Sequence, residues 1–166
     1  YKLPKPHPAD IFFDIEGYPF FRERGFEYLH GLYLNTEEKM EFKYFWAKEL
    51  DVDYERENFK KLIEYLRKHF EKNPDAYLYH YNVYEKTALK NLSCDFSTVY
   101  PDGLHFVDQL LRLEKFVDLF RVVEQCMLTS EKDNSLKTIE KFYEGTREAN
   151  IKSAGESIVL YDQWLE

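Results

Sequence analysis

At Asp53 the hydrophobic period of this sequence changes, and that change restricts the fold more than any single residue does. Before it, apolar residues come in short, aromatic, β-favouring blocks: Asp10-Ile11-Phe12-Phe13-Asp14-Ile15, Phe26 to Leu34 and Glu41 to Trp46. After it, Phe59, Leu62, Ile63, Leu66 and Phe70 recur at the three- and four-residue spacing of one helix face, with Lys, Arg and Glu between them. Asn73-Pro74 ends that helix, because a residue preceding proline is driven out of the helical region.

The first block reads as a buried strand closed by a turn at Glu16-Gly17-Tyr18-Pro19. The next two, parted by Asn35 to Lys39, read as a hairpin continuing an antiparallel meander. Ala76 to Tyr81 is a fourth strand running straight into a helix over Tyr84 to Leu92, with Ala88 and Leu92 on its inner face. Leu104 to Leu113 is helical and Phe116 to Leu119 is strand-like. Helices follow over Phe120 to Leu128, Ser135 to Tyr143 and Ser157 to Leu165. Three strands first and αβ alternation afterwards make an α/β sheet of mixed direction.

Of 166 residues, 14 are Tyr, 14 Phe and 2 Trp, too many aromatics for a disordered chain and enough for one domain with a real core. Uncharged apolar runs stay far below the roughly 20 residues of a membrane span. Cys94 and Cys126 form no C-x-x-C pair, which argues against a disulfide framework or a cysteine-rich zinc site and for a reducing cytosol. His30 and His80 have no partner His at ligand spacing, which also argues against zinc. No G-x-S-x-G, P-loop or G-x-G-x-x-G occurs. The formal charge of -8 speaks against holding nucleic acid by charge alone. Residues 1–9, with three prolines in Lys2 to Pro8, read as an extended linker and not a signal peptide. With Tyr1 in place of Met, and a helix still in progress at Glu166, the chain is expected to be a segment of a longer protein.

The chemistry concentrates on Asp14 and Glu16. Alternation puts both carboxylates on one face of the first strand, with Ile15 on the other. Acids sharing a buried face need a cation or raised pKa values, and hard ions such as Mg2+ or Mn2+ take such oxygen ligands. The alternative is a strand end whose acids face water. Glu85 stands where the fourth strand hands over to a helix, so it either joins that site or serves the helix N-terminus. Asp118 ends an apolar piece before a helix and is either a ligand or an N-cap. Tyr77, Tyr79, Tyr81 and Tyr84 are base-stacking candidates or, more commonly, sheet filling.

DIFFDIEGYPF, EYLHGLY, YLYHYNVYEKTALKNL, KFVDLFRVVEQ, NSLKTIEKFY and SIVLYDQWLE together resemble, in order and spacing, the ribonuclease H-like exonuclease domains of bacterial multidomain nucleases and helicase fusions. The resemblance covers nearly the whole chain from about Asp10 and implies a DEDD-type fold, a mixed five-stranded sheet flanked by helices. It implies Asp14 and Glu16 as the first motif, Glu85 in the place most relatives fill with aspartate, and Asp118 beside the metal site. Two Mg2+ or Mn2+ ions and nucleic-acid ends as substrate are implied, with helicase or nuclease domains as neighbours. Tyr18 replaces an acid that relatives often carry. The final motif, a tyrosine or histidine followed four residues later by aspartate, does not fit Asp162, which has Ile158 at that spacing. The last helix and its acid are therefore expected beyond Glu166. Two functions follow: a metal-dependent 3′–5′ exonuclease on DNA or RNA, and an inactive module that docks nucleic acid or protein.

Overall fold

A computed structural model describes residues 3–35, 39–143 and 154–165. The aromatic blocks form β1 (Ile11–Tyr18), β2 (Phe26–Asn35) and β3 (Met40–Trp46), followed by α1 (Val52–Lys72), β4 (Leu78–His80), α2 (Tyr84–Asp95) and α3 (Pro101–Arg112). The chain continues through β5 (Phe116–Asp118), α4 (Leu119–Cys126), α5 (Leu136–Glu140) and α6 (Ala154–Leu165). The sheet has five strands in the order β3-β2-β1-β4-β5. β1 pairs antiparallel with β2 and β2 with β3, whereas β1 to β4 and β4 to β5 are parallel. The expected mixed α/β sheet is the observed one.

β1 shows its alternation directly: Ile11, Phe13 and Ile15 are buried while Phe12 and Asp14 are exposed. The buried set packs on Phe59, Leu62, Ile63 and Leu66 of α1, with Leu89 and Leu92 of α2 and Val107 and Leu110 of α3 completing the core. Each of these fully buried side chains contributes roughly 1.5–3 kcal/mol. Asp51 caps α1 by accepting the Asp53 amide at 2.7 Å, and the helix ends where Asn73 leaves the helical region before Pro74.

Some boundaries differ from the sequence reading. β1 does not turn at Glu16 but runs on to Tyr18, because a bulge between Glu16 and Gly17 shifts the register on β2 and pairing resumes. β4 is only three residues long, since Asn82 adopts a left-handed φ of 78° and turns the chain into α2. Leu119 belongs to α4 rather than to a strand, and α4 stops at Cys126 because Met127 is extended. α5 ends early, its last residues tightening into three-residue turns at Phe142 and Tyr143. α3 starts earlier than expected, at Pro101, whose missing amide hydrogen costs nothing at the first helical position.

The stretch read as a linker is held at its end. Asp10 accepts the amides of His7 and Tyr77, each at 2.8 Å, and His69 Nε2 lies 2.7 Å from the Ala9 carbonyl. At the far end of the chain, Tyr161 of α6 stacks on Tyr28 with ring centroids 4.0 Å apart and meets Tyr18 and Trp46 edge-on. Together with Phe26 and Ala47 they form a second apolar cluster. No helix among the described residues is long and apolar enough to cross a membrane.

Candidate active site

The C-terminal half of β1 delivers Asp14 and Glu16 to an open groove on the sheet face opposite α1. Both line it, so the strand alternation places them as expected, although the face is open rather than sealed. Asp14 keeps solvent contact, yet the protein around the groove, then the charges of Glu16 and Glu85, raise its pKa from 3.8 to about 6. A hydrogen bond to Glu85 adds to the rise. Glu16 is raised as well by desolvation, and the opposing charge of Lys137 from α5 offsets part of that.

Glu85 enters from the first turn of α2 and is buried. Its Oε2 has no hydrogen-bond partner and stands 3.5 Å from His80 Nδ1. That nitrogen is 2.6 Å from the Asn82 carbonyl, which can only accept, so Nδ1 carries the hydrogen and donates it there. A buried carboxylate oxygen without a donor is a costly arrangement unless a cation joins it.

Asp118 sits level with His80 in the β4–β5 register. Its Oδ1 accepts the amides of Phe120 at 3.0 Å and Asn82 at 2.9 Å. It thus caps α4 and braces the loop that introduces Glu85. The charges that raise Asp14 are Glu16 and Glu85, and Asp118 is not among them. The structure brings Asp14, Glu16 and Glu85 within electrostatic reach of one another and holds Asp118 on β5, two strands from β1.

Glu27, which the sequence reading did not single out, and Tyr84, read there as a base-stacking or sheet-filling tyrosine, stand beside these acids. Glu27 at the start of β2 is buried and accepts the Tyr84 hydroxyl at 2.9 Å. Burial raises the pKa of Glu27, and burial beside Glu27, Glu16 and Glu85 raises that of Tyr84. Gly17 makes this bond possible: a Cβ there would stand 2.5 Å from the Tyr84 hydroxyl and 2.6 Å from Glu27 Oε2. Behind them Glu55 of α1, fully buried, pairs with Arg22 at 3.1 Å and Arg24 at 2.8 Å and accepts the Glu27 amide at 2.8 Å. The only sequence signal for Glu27 was an acid at the entry of an otherwise apolar, aromatic strand. Asp162, set aside as a final acid, accepts the Tyr18 hydroxyl at 2.7 Å.

Among the described residues no three His, Cys, Asp or Glu side chains stand in an arrangement that holds a metal ion. Asp14 lies against Glu85, and that contact is one of the causes that raise its pKa. The donor set nevertheless suits a hard divalent ion: three neighbouring carboxylates, two with raised pKa values and the third with an orphaned oxygen.

A family model described as RNase_H superfamily, RNase_H_2, matches residues 11–166. The chain belongs to the RNase H superfamily. The match runs from the first residue of β1 past α6, so the acids on β1 and α2 lie within it. Membership agrees with the mixed five-stranded sheet and points to nuclease-type chemistry, for which RNase H-like proteins generally use divalent metals. No curated protein and no solved structure matches the chain.

Proposed function

We propose that this RNase H-like domain is a metal-dependent nuclease, a 3′–5′ exonuclease of the DEDD type acting on DNA or RNA ends. The observation that carries this reading is the convergence of Asp14, Glu16 and Glu85, whose crowded negative charge raises the pKa of Asp14 and is offset only in part, by Lys137. Asp14, Glu16 and Glu85 would hold Mg2+ or Mn2+, whose charge would offset theirs. When bound, such ions lower the pKa of an attacking water and offset charge on the leaving oxygen.

The chain's own groups prepare that site. Asp118 fixes the Asn82 turn, and the turn fixes both His80, through its Nδ1 hydrogen, and the start of α2 with Glu85. Tyr84, at the start of α2, is held by its hydrogen bond to Glu27. Asp118 is in this reading a positioning residue. Neighbouring helicase or nuclease domains of a parent chain would present the nucleic-acid end, and a cytoplasmic setting suits such a partner.

Calorimetric titration of Mn2+ into the wild type and into Asp14→Asn tests the reading, together with cleavage of an end-labelled oligonucleotide. Binding and cleavage present in the wild type and lost in the variant are expected; metal-dependent cleavage retained by Asp14→Asn would sink the assignment. A non-catalytic docking module is the second reading, favoured by the charge of -8 and by the absence, among the described residues, of a ready metal cluster.

A further inference from the structure

The face that carries Asp14 also carries a row of aromatic rings set by the strand register. Tyr79 of β4 is level with Phe12 of β1, Phe12 with Tyr33 of β2, and Tyr33 with Phe42 of β3. Partners in register project on the same side of a sheet, so these four rings cross four adjacent strands in one line. Phe12 and Tyr79 centroids are 5.4 Å apart, Tyr33 and Phe42 6.3 Å. Phe12, Tyr33 and Phe42 are 44%, 41% and 56% exposed, far more than aromatic core residues, while Tyr79, 8% exposed, backs the inner end of the row.

The next row on the same face is Asp14, Gly31 and Tyr44. It lies two residues along the strands, roughly 6.6 Å from the ring row. Gly31 leaves a depression between Asp14 and the rings, since a Cβ there would come within 3.3 Å of the Phe42 ring. The resulting groove of about 290 Å³ is continuous from Phe42 and Tyr33 to Asp14 and Glu16. That volume is at the small end of ligand pockets, roughly 300–1,000 Å³. The described lining contains no Lys or Arg, so phosphate charges have nothing to pair with inside the groove.

We propose that this ring row is a stacking platform for the unpaired bases of a single-stranded nucleic acid whose end reaches Asp14, with the phosphates facing solvent. The proposal rests on the nuclease reading and adds to it how the strand is held. Every base has a π-face, so such a platform tolerates any sequence. Held by rings and not by counterion release, the strand binds with a shallow dependence on salt.

Anisotropy of fluorescein-labelled oligothymidylate with the whole chain, in EDTA so that no cleavage occurs, tests this. The single strand is expected to bind tighter than a blunt duplex. Tyr33→Ala and Phe42→Ala should each weaken it roughly 5- to 150-fold, the value of one stacked base. Phe42→Trp should keep the affinity and Phe42→Leu should not, a contrast that mere apolar filling of an exposed site would not produce. Equal binding of duplex, retention in Phe42→Leu, unchanged alanine variants or a wild type that does not bind would each overturn the platform. Asp14→Asn separates the two readings: it should lose metal-dependent cleavage while its binding of the oligonucleotide still falls when Tyr33 or Phe42 is replaced by alanine. Cleavage absent from the wild type with ring-dependent binding intact would defeat the nuclease reading alone, and cleavage that ignores the ring substitutions would defeat the platform alone.

Discussion

Asp14 sits at odds with its surroundings: ionised, it faces Glu16 and Glu85, and protonated, it satisfies one of them. Its pKa in the folded protein, about 6, lies above the 3.8 of an unconstrained carboxyl, so between those values the folded state binds more protons than the unfolded state. Stability is therefore lost as pH rises through about 6, and is not regained above it. Asp14→Asn should accordingly be more stable than the wild type at pH 7, by on the order of 1 kcal/mol once solvent screening of this exposed group is allowed for. The gain should vanish below the usual carboxyl range, as urea denaturation at a series of pH values would show. A residue that costs stability where it is ionised is what a site awaiting a cation looks like. The D-x-E spacing made this pair legible in the sequence, because strand alternation is strictly local. Glu27 was not legible, since its place beside Tyr84 depends on a bulge at Gly17 and on the β1–β2 register, both tertiary facts.

Among the elements, β4 and α2 with the turn between them decide whether Glu85 points inward. Asp118 holds that turn through the Asn82 amide while capping α4 with the same oxygen. Asp118→Ala should cost about 1–2 kcal/mol, the value of a lost cap with a second amide left unpaired. Asp118→Asn should keep both acceptor bonds, and with them stability and Mn2+ affinity. If Asn at 118 instead removes the metal in calorimetry while leaving the thermal midpoint in place, Asp118 is a ligand rather than a brace. The sequence left that choice open because ligand and cap ask for the same residue type in the same place. Long periodic elements were read with little error, α1 above all, since the period of Phe59 to Phe70 repeats over several turns. The short ones slipped: β4 shrank because a left-handed Asn82 ended it, and α5 because its last residues tightened into turns that hydrophobic spacing does not encode.

At the scale of the whole molecule, acid resistance draws on a residue that lies behind the acidic strand, opposite Ile15 and on the other face of the sheet from Asp14. His30 lies in the middle of β2, fully buried between Ile15 and Phe45, with neither ring nitrogen hydrogen-bonded. Burial lowers its pKa from 6.5 to about 3, so the unfolded chain binds a proton that the folded one refuses. Stability is complete above pH 6.5 and falls as pH drops toward 3, by at most about 1.4 kcal/mol per pH unit from this residue. His30→Leu should remove that slope and raise stability by about 1–3 kcal/mol at pH 7, because two unsatisfied buried nitrogens disappear. Unchanged urea midpoints between the wild type and the variant across this range would refute it. The apolar neighbours of His30 were visible in the sequence, but not that all of them would close over it.

The stacking of Tyr161 on Tyr28 joins residues that leave the ribosome far apart in time. Phe26, Tyr28 and Trp46 belong to the β2–β3 hairpin, yet the helix that covers them ends at Leu165. At about 5–20 residues per second, the hairpin waits roughly 6–24 s for its cover during synthesis. Throughout that interval an aromatic surface and the outer edge of β3 are both open to other chains. The nascent chain thus has a window in which a chaperone, or a crowded polysome, decides whether the sheet closes on itself or pairs with a neighbour.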